Sequence, residues 1–176
     1  VICSDKTGTL TQNKMTVQQI YIDGETLKPE ELDLRNQLHR YLLYDAILTN
    51  DSAIVDGNGI GDPTEYALLD MARKVTINEE IVRDMMPRLD EVPFDSDRKL
   101  MTSVNEIGGR LVVIVKGAFD MMAARCVKGD LEAAKEKNDE MSRQALRVLA
   151  VGYKEIPSLP AELSSEELEN GLALLG

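Results

Sequence analysis

The sequence predicts an α+β fold, with a mostly antiparallel sheet accompanied by helices. Three observations predict it. Apolar runs at residues 89–94, 100–105 and 110–116 follow one another closely, and Gly108-Gly109 turns the second into the third. Apolar residues at helical spacing occur before these runs, and a charged helical stretch follows them. Strands joined largely by hairpins argue against a doubly wound sheet.

The elements are expected in this order. Residues 1–3 read as the end of a buried strand. Residues 16–22 alternate weakly and end in Asp23-Gly24, a hairpin signal. Leu34, Leu38, Tyr41, Leu42 and Leu48 predict a helix over much of residues 30–49. A polar, glycine-rich loop is expected over residues 50–61. Asp62-Pro63-Thr64-Glu65 then reads as a helix start, with Asp62 as cap, Pro63 at the first helical position and Glu65 three residues after the cap. Ala67, Leu68, Met71 and Ala72 give that helix an apolar face. Ile77, Ile81, Val82 and Met85 predict a short helix stopped by Pro87. Residues 131–144 form a charged helix, residues 147–153 a last strand, and Pro157 and Pro160 mark the exit.

Composition narrows the function. The chain has 176 residues, 43% apolar and 29% charged, enough for one domain with a sizeable core. A net charge of -11 argues against nucleic acid as a partner, because the surface repels phosphate backbones. Cys3 and Cys126 stand alone, so neither a disulfide framework nor a zinc site is expected. No apolar run approaches the ~20 residues of a membrane-spanning helix. His39, the single histidine, is expected on a helix surface or boundary.

The chemistry starts at Asp5-Lys6-Thr7-Gly8-Thr9-Leu10-Thr11. An aspartate on a loop after a buried strand can attack phosphorus as a nucleophile. Lys6 can offset charge on the transferring group, and Thr7, Thr9 and Gly8 can approach its oxygens. Asp5 is a hard oxygen ligand for Mg²⁺. The plainer reading is a solvated turn rich in Asp, Thr and Gly.

These seven residues resemble the phosphorylation motif of P-type ATPases, within the haloacid-dehalogenase superfamily. Phosphatases of that superfamily carry a second aspartate two residues after the nucleophile. Here that place is Thr7, which suits a slowly hydrolysed aspartyl-phosphate. Four further stretches resemble the family in its own order. Gly61-Asp62-Pro63-Thr64-Glu65 is similar to its Gly-Glu/Asp-x-Thr-Glu element, which implies that Glu65 accepts from the adenine amino group. The local alternative is that Glu65 only completes a capping box. Pro93-Phe94-Asp95-Ser96-Asp97-Arg98-Lys99-Leu100-Met101 resembles the segment whose Phe stacks on adenine, so Phe94, Lys99 and Met101 are expected at the nucleotide. Calcium pumps often have Arg where Ser96 stands. Taken alone, Phe94 reads as core. Val115-Lys116-Gly117-Ala118 resembles the Lys-Gly-Ala strand end, which implies Lys116 beside adenine and Gly117 admitting the base. Phe119 and Asp120 replace the usual Pro and Glu. Taken alone, Lys116 reads as a solvent-reaching lysine. Leu146-Arg147-Val148-Leu149-Ala150 resembles the Leu-Arg-x-Leu-Ala strand, whose Arg reaches the phosphates or ribose. A surface salt bridge is the plainer role. Asn50-Asp51-Ser52 matches a stretch read as structural.

The resemblance implies a twisted, mostly antiparallel sheet flanked by helices, as in the family's nucleotide-binding domain. It also implies a layout: residues 1–15 as a remnant of the phosphorylation domain and hinge, 16–158 as the nucleotide-binding domain, and 159–176 as a return linker. The expected site is Asp5 as phosphorylated nucleophile with Lys6, Thr7 and Thr9; Glu65, Phe94, Lys99, Met101, Lys116, Gly117 and Arg147 around ATP; and Asp5 and Thr7 on Mg²⁺ in the whole pump. The expected partners are ATP and the pump's phosphorylation, actuator and transmembrane domains. The chain itself is expected to be a monomer on the cytoplasmic face of a membrane that binds ATP without turnover, with Asp5 poorly ordered. Type II, calcium-pump-like members fit best. A haloacid-dehalogenase-type phosphatase and a non-catalytic nucleotide-binding module are the alternatives.

Overall fold

The computed structural model describes residues 14–161 and 164–176. The expected strand at residues 1–3, together with Asp5, Lys6, Thr7 and Thr9, lies outside them.

Ile20–Ile22 (β1) and Glu25–Leu27 (β2) form the first hairpin. Asp23 and Gly24 both have positive φ, 52° and 78°, the geometry a tight hairpin turn requires. The expected long helix over residues 30–49 is shorter: a 3-10 turn at Pro29–Glu31, then Gln37–Leu48 (α1). Asn36 ends the interruption, because its side chain accepts the Leu38 N–H and caps α1. His39 is buried rather than on the surface, and its Nδ1 accepts the Asp33 N–H at 3.0 Å. The expected loop over residues 50–61 contains a second hairpin, Ala53–Val55 (β3) and Asn58–Ile60 (β4). Its Asp56-Gly57 turn repeats the φ signs of the first, a signal the sequence reading passed over.

Pro63–Lys74 (α2) starts as expected, with the Asp62 side chain accepting from Thr64 and Glu65. It buries Ala67, Leu69, Met71 and Ala72, so Leu69 rather than Leu68 faces fully inward. Glu79–Met85 (α3) is capped by Asn78. Glu79 is buried and paired with Arg73, whose guanidinium holds its carboxyl below the usual carboxylate range.

Arg88–Asp95 (β5), Leu100–Ile107 (β6) and Arg110–Gly117 (β7) form a meander, with Gly108 and Gly109 at positive φ between the last two. Phe119–Ala123 (α4) and Cys126–Lys128 (β8) follow, neither foreseen from sequence. Burial raises the Cys126 thiol to about 11. Leu131–Arg143 (α5) is the expected charged helix. The strand expected at residues 147–153 is Ala150–Ile156 (β9), and it is not the last. Ser165–Leu168 (α6) and Leu172–Leu174 (β10) come after it.

The large sheet has the order β5-β6-β7-β9-β10-β8, antiparallel except for the β10–β8 pair. This is the expected α+β, mostly antiparallel architecture. Alternate residues of each strand serve opposite faces. Val112, Ile114 and Val151 join the α1 and α2 core with Leu43, Ile47, Leu69 and Met71. Leu100, Val104, Val113 and Val115 face Met122 of α4 and Leu168 of α6. Lys154 ties α6 to β9 by donating to the Glu167 and Asn170 carbonyls, at 2.7 Å each.

Asp45 is the exception inside the first core. It is 1% exposed; Oδ1 accepts from Thr49 Oγ1 at 2.7 Å, while Oδ2 has no hydrogen-bond partner among the described residues. Burial pushes its carboxyl well above the usual range, outweighing the Thr49 hydrogen bond and the Lys116 charge. The folded state therefore keeps a proton that the unfolded chain releases near pH ~3.9. Stability contributed this way is complete below that pH and is lost as pH rises toward the raised folded value. Asp45→Asn keeps the shape and cannot ionise. Thermal melts from acid to neutral pH are expected to show a smaller fall in stability for the variant than for the parent. Equal pH slopes would refute this account.

Candidate nucleotide site

The site is built on a row across the sheet. Met101 of β6 lies opposite Lys116 of β7, and Lys116 lies opposite Val151 of β9. Directly opposed residues share a face. This face is the one covered by α1 and α2. On β5 the register shifts: Val92 pairs with Thr102, then Asp95 pairs with Leu100. Pro93 and Phe94 therefore oppose the single Met101, which is a β-bulge. The bulge sets Phe94 at the open edge of the row, 61% exposed. The core role that residue type alone suggested does not hold.

The turn after the bulge is closed from within. Asp95 Oδ1 accepts the Asp97 and Arg98 N–H groups at 3.0 and 2.9 Å. Lys99 takes φ 54° and donates its N–H to the Asp95 carbonyl at 2.6 Å. Its side chain is half exposed, with Nζ 3.9 Å from Asp120. Gly117 meets this turn across the strands. A Cβ there would stand 2.1 Å from the Lys99 carbonyl oxygen and 2.7 Å from Leu100 Cδ2. Packing of the strands against each other thus demands glycine, a requirement separate from the expected approach of a base.

Lys116 is buried, not solvent-reaching, and its Nζ lies 2.9 Å from Glu65 Oε1. Glu65 sits in the first turn of α2, yet its carboxylate faces the sheet. Oε2 accepts from the Asp51 N–H at 3.1 Å and from Ser52 Oγ at 3.4 Å. Capping is left to Asp62. A carboxylate has about four acceptor positions, so one remains for an outside donor. Asn50 Nδ2 donates to the Ala46 and Glu65 carbonyls, both at 2.9 Å. Arg83 donates to the carbonyls of Ile47, Asn50 and Ser52, and Arg88 to those of Leu48 and Asn50. These two arginines hold the turn that holds Glu65. Sequence reading saw Asn50-Asp51-Ser52 only as structural and missed Arg83 and Arg88. Arg83 is held by backbone oxygens, which leave no side-chain pattern, and Arg88 adds to its backbone partners the carboxylates of Asp51 and Glu91.

Glu65, Lys99, Met101, Lys116 and Gly117 are thus linked by direct contact or strand pairing, with Phe94 on the bulge beside them. Arg147 is exposed in the segment between α5 and β9, not in a strand. It joins the group only through Lys116, with which it lines a cavity of about 340 Å³. Thr64, Met71 and Leu149 also line that cavity; Phe94 and Lys99 do not. The expected Mg²⁺ ligands, Asp5 and Thr7, lie outside the described residues.

A family model described as P-type ATPase, cytoplasmic domain N, matches residues 39–176. The chain belongs to the P-type ATPases. It is 42% identical over 191 residues to a calcium-transporting ATPase of Listeria monocytogenes, an alignment covering 100% of this chain and 22% of the relative. It is 41% identical over 189 residues to calcium-transporting ATPase 1 of Lactococcus lactis, covering 100% and 21%. A cation-transporting ATPase of Synechocystis is 34% identical over 211 residues, covering 100% and 23%. The chain therefore spans about a fifth of the length of these P-type ATPase relatives. Among the described residues, no helix is long and apolar enough to cross a membrane.

Proposed function

We propose that this part of a P-type ATPase holds ATP for phosphoryl transfer in a cation pump, at the cytoplasmic face of a membrane. The observation that carries the reading is Phe94, an exposed aromatic ring on a bulge at the end of a row built from Met101, Lys116 and Glu65. A ring with one open face is a stacking platform for a base. Glu65 keeps one acceptor position, which suits an exocyclic amine. Lys99 supplies a positive, half-exposed side chain nearby, and Arg147 a guanidinium that can reach phosphate or ribose. Gly117 leaves the strand end narrow beside Lys116.

In the whole pump, an Asp5 carboxylate oxygen attacks the γ-phosphorus of ATP. A new O–P bond forms, the bond to the β-phosphate oxygen breaks, and ADP leaves. Mg²⁺ would arrive with the phosphates and neutralise their charge, with Asp5 and Thr7 as its protein ligands. Residues 1–15 are assigned to the phosphorylation domain and hinge, 16–158 to nucleotide binding and 159–176 to the return, whose β10 also completes the large sheet between β9 and β8. Its partners would be ATP and the pump's phosphorylation, actuator and transmembrane parts. The chain alone, taken as a monomer, is assigned binding without turnover. Calcium is the cargo that the names of the bacterial relatives suggest.

Titration of the chain with ATP, followed by amide NMR, tests the reading. Saturable shifts are expected at Phe94, Lys99, Gly117 and Glu65. Shifts confined to other surfaces, or none at millimolar ATP, would reject it.

A further inference from the structure

Glu169 is wholly buried, with 0% of its surface exposed. It lies between α6 and β10, remote in sequence from every residue of the candidate site. A carboxylate in such a place is costly unless it is paired and hydrogen-bonded. Oε1 accepts from Arg98 Nε at 2.9 Å and from Thr102 Oγ1 at 2.8 Å. Arg125 Nε stands 3.8 Å from Oε2.

The other end of the Arg98 guanidinium is spent on backbone. Nη2 donates to the Pro93 carbonyl at 2.8 Å and to the Leu100 carbonyl at 3.1 Å. Those carbonyls come immediately before Phe94 and immediately after Lys99. Arg98 therefore ties together both ends of the bulge and turn that present these two side chains. Exposed as it is, Phe94 has little packing of its own, so its place is set by the backbone it stands on. That backbone hangs on Arg98, and Arg98 is aimed by Glu169.

We propose that Glu169 and Arg98 are positioning residues for the nucleotide, fixing the bulge so that the Phe94 ring meets the base. The inference rests on the ATP reading given above. It assigns to the C-terminal segment a share in base recognition that no direct contact would reveal.

A double-mutant cycle tests it. ATP affinity is measured by calorimetry for the parent chain, Glu169→Gln, Phe94→Ala and the double variant. Glu169→Gln keeps the shape but removes the charge that orients the guanidinium. Arg98→Lys, run through the same cycle, keeps the charge but loses the fork. Glu169→Gln is expected to weaken ATP binding about fivefold with Phe94 present and to add nothing once Phe94 is Ala, because groups that act through one another are not additive. Without nucleotide, the amide signals of residues 94–99 are expected to move while those of α1 and α2 stay in place. Additive losses, or parental affinity in Glu169→Gln, would overturn the proposal. If Phe94→Ala alone leaves affinity unchanged, the nucleotide reading falls and this inference falls with it. If Glu169→Gln fails to fold, the Arg98→Lys cycle decides by the same criteria.

Discussion

Phe94→Ala is expected to weaken ATP binding by about fivefold to about 140-fold while leaving the melting temperature almost unchanged. Stacking of a base on an aromatic side chain is worth about 1–3 kcal/mol by alanine substitution. Each 1.4 kcal/mol is a factor of ten, which gives the expected range. Stability should hardly respond, because a ring 61% exposed has not been taken out of water by the fold. Binding and folding are therefore predicted to separate at this residue. Phe94→Tyr keeps the π-face and should retain most of the affinity. Calorimetric titration of the three proteins, with a melting curve for each, is the measurement. Unchanged affinity in Phe94→Ala would remove the ring from the site. A large drop in melting temperature would return it to the core.

Glu65→Ala, unlike Phe94→Ala, should bring a large loss of stability. Its partner Lys116 has a side chain only 7% exposed, and Glu65 is 18% exposed. Removing one member of a buried pair leaves an uncompensated charge, at a typical cost of 3–5 kcal/mol. Because Glu65 keeps some contact with water, the lower end of that range is expected, about 3 kcal/mol. The Asp51 N–H and the Ser52 hydroxyl lose their acceptor as well. Urea unfolding gives the number directly. The double variant Glu65→Leu, Lys116→Met should recover part of the loss, since apolar replacements of a buried pair are often tolerated. A loss below about 1 kcal/mol would mean that the pair behaves as an exposed one.

The contrast between Phe94 and Glu65 shows what the sequence could carry. The start of α2 was legible because Asp62 and Pro63 act on their own neighbours. Gly108-Gly109 was legible because a two-residue turn is local. The Asp56-Gly57 hairpin used the same chemistry, but the polar residues around it masked strands only three residues long. The break at residues 32–36 was hidden by apolar spacing that continues through it, and the Asn36 cap decides where α1 begins. β8 and β10 are short and gain their definition only from each other and from β9. At the site, strings of residues suggested Glu65, Phe94, Lys99 and Lys116, but not how they relate. The pairing of Lys116 with Glu65 joins strand to helix across distant stretches of chain. The bulge at Pro93-Phe94 depends on a register that only the partner strand sets. Asp45 was invisible because an acid on a helix normally reads as a solvated face.

The place of β10 between β9 and β8 has a consequence for biosynthesis. Among the described residues β8 pairs only with β10, and β10 is translated after every other strand of this sheet. Until then, one edge of the growing sheet stays open and half of the Glu169 clamp does not exist. A nascent chain can build the β5–β7 meander early, because those strands meet through short turns. The parallel seam must wait until Leu172–Leu174 has been made, because that strand is what joins β8 to β9.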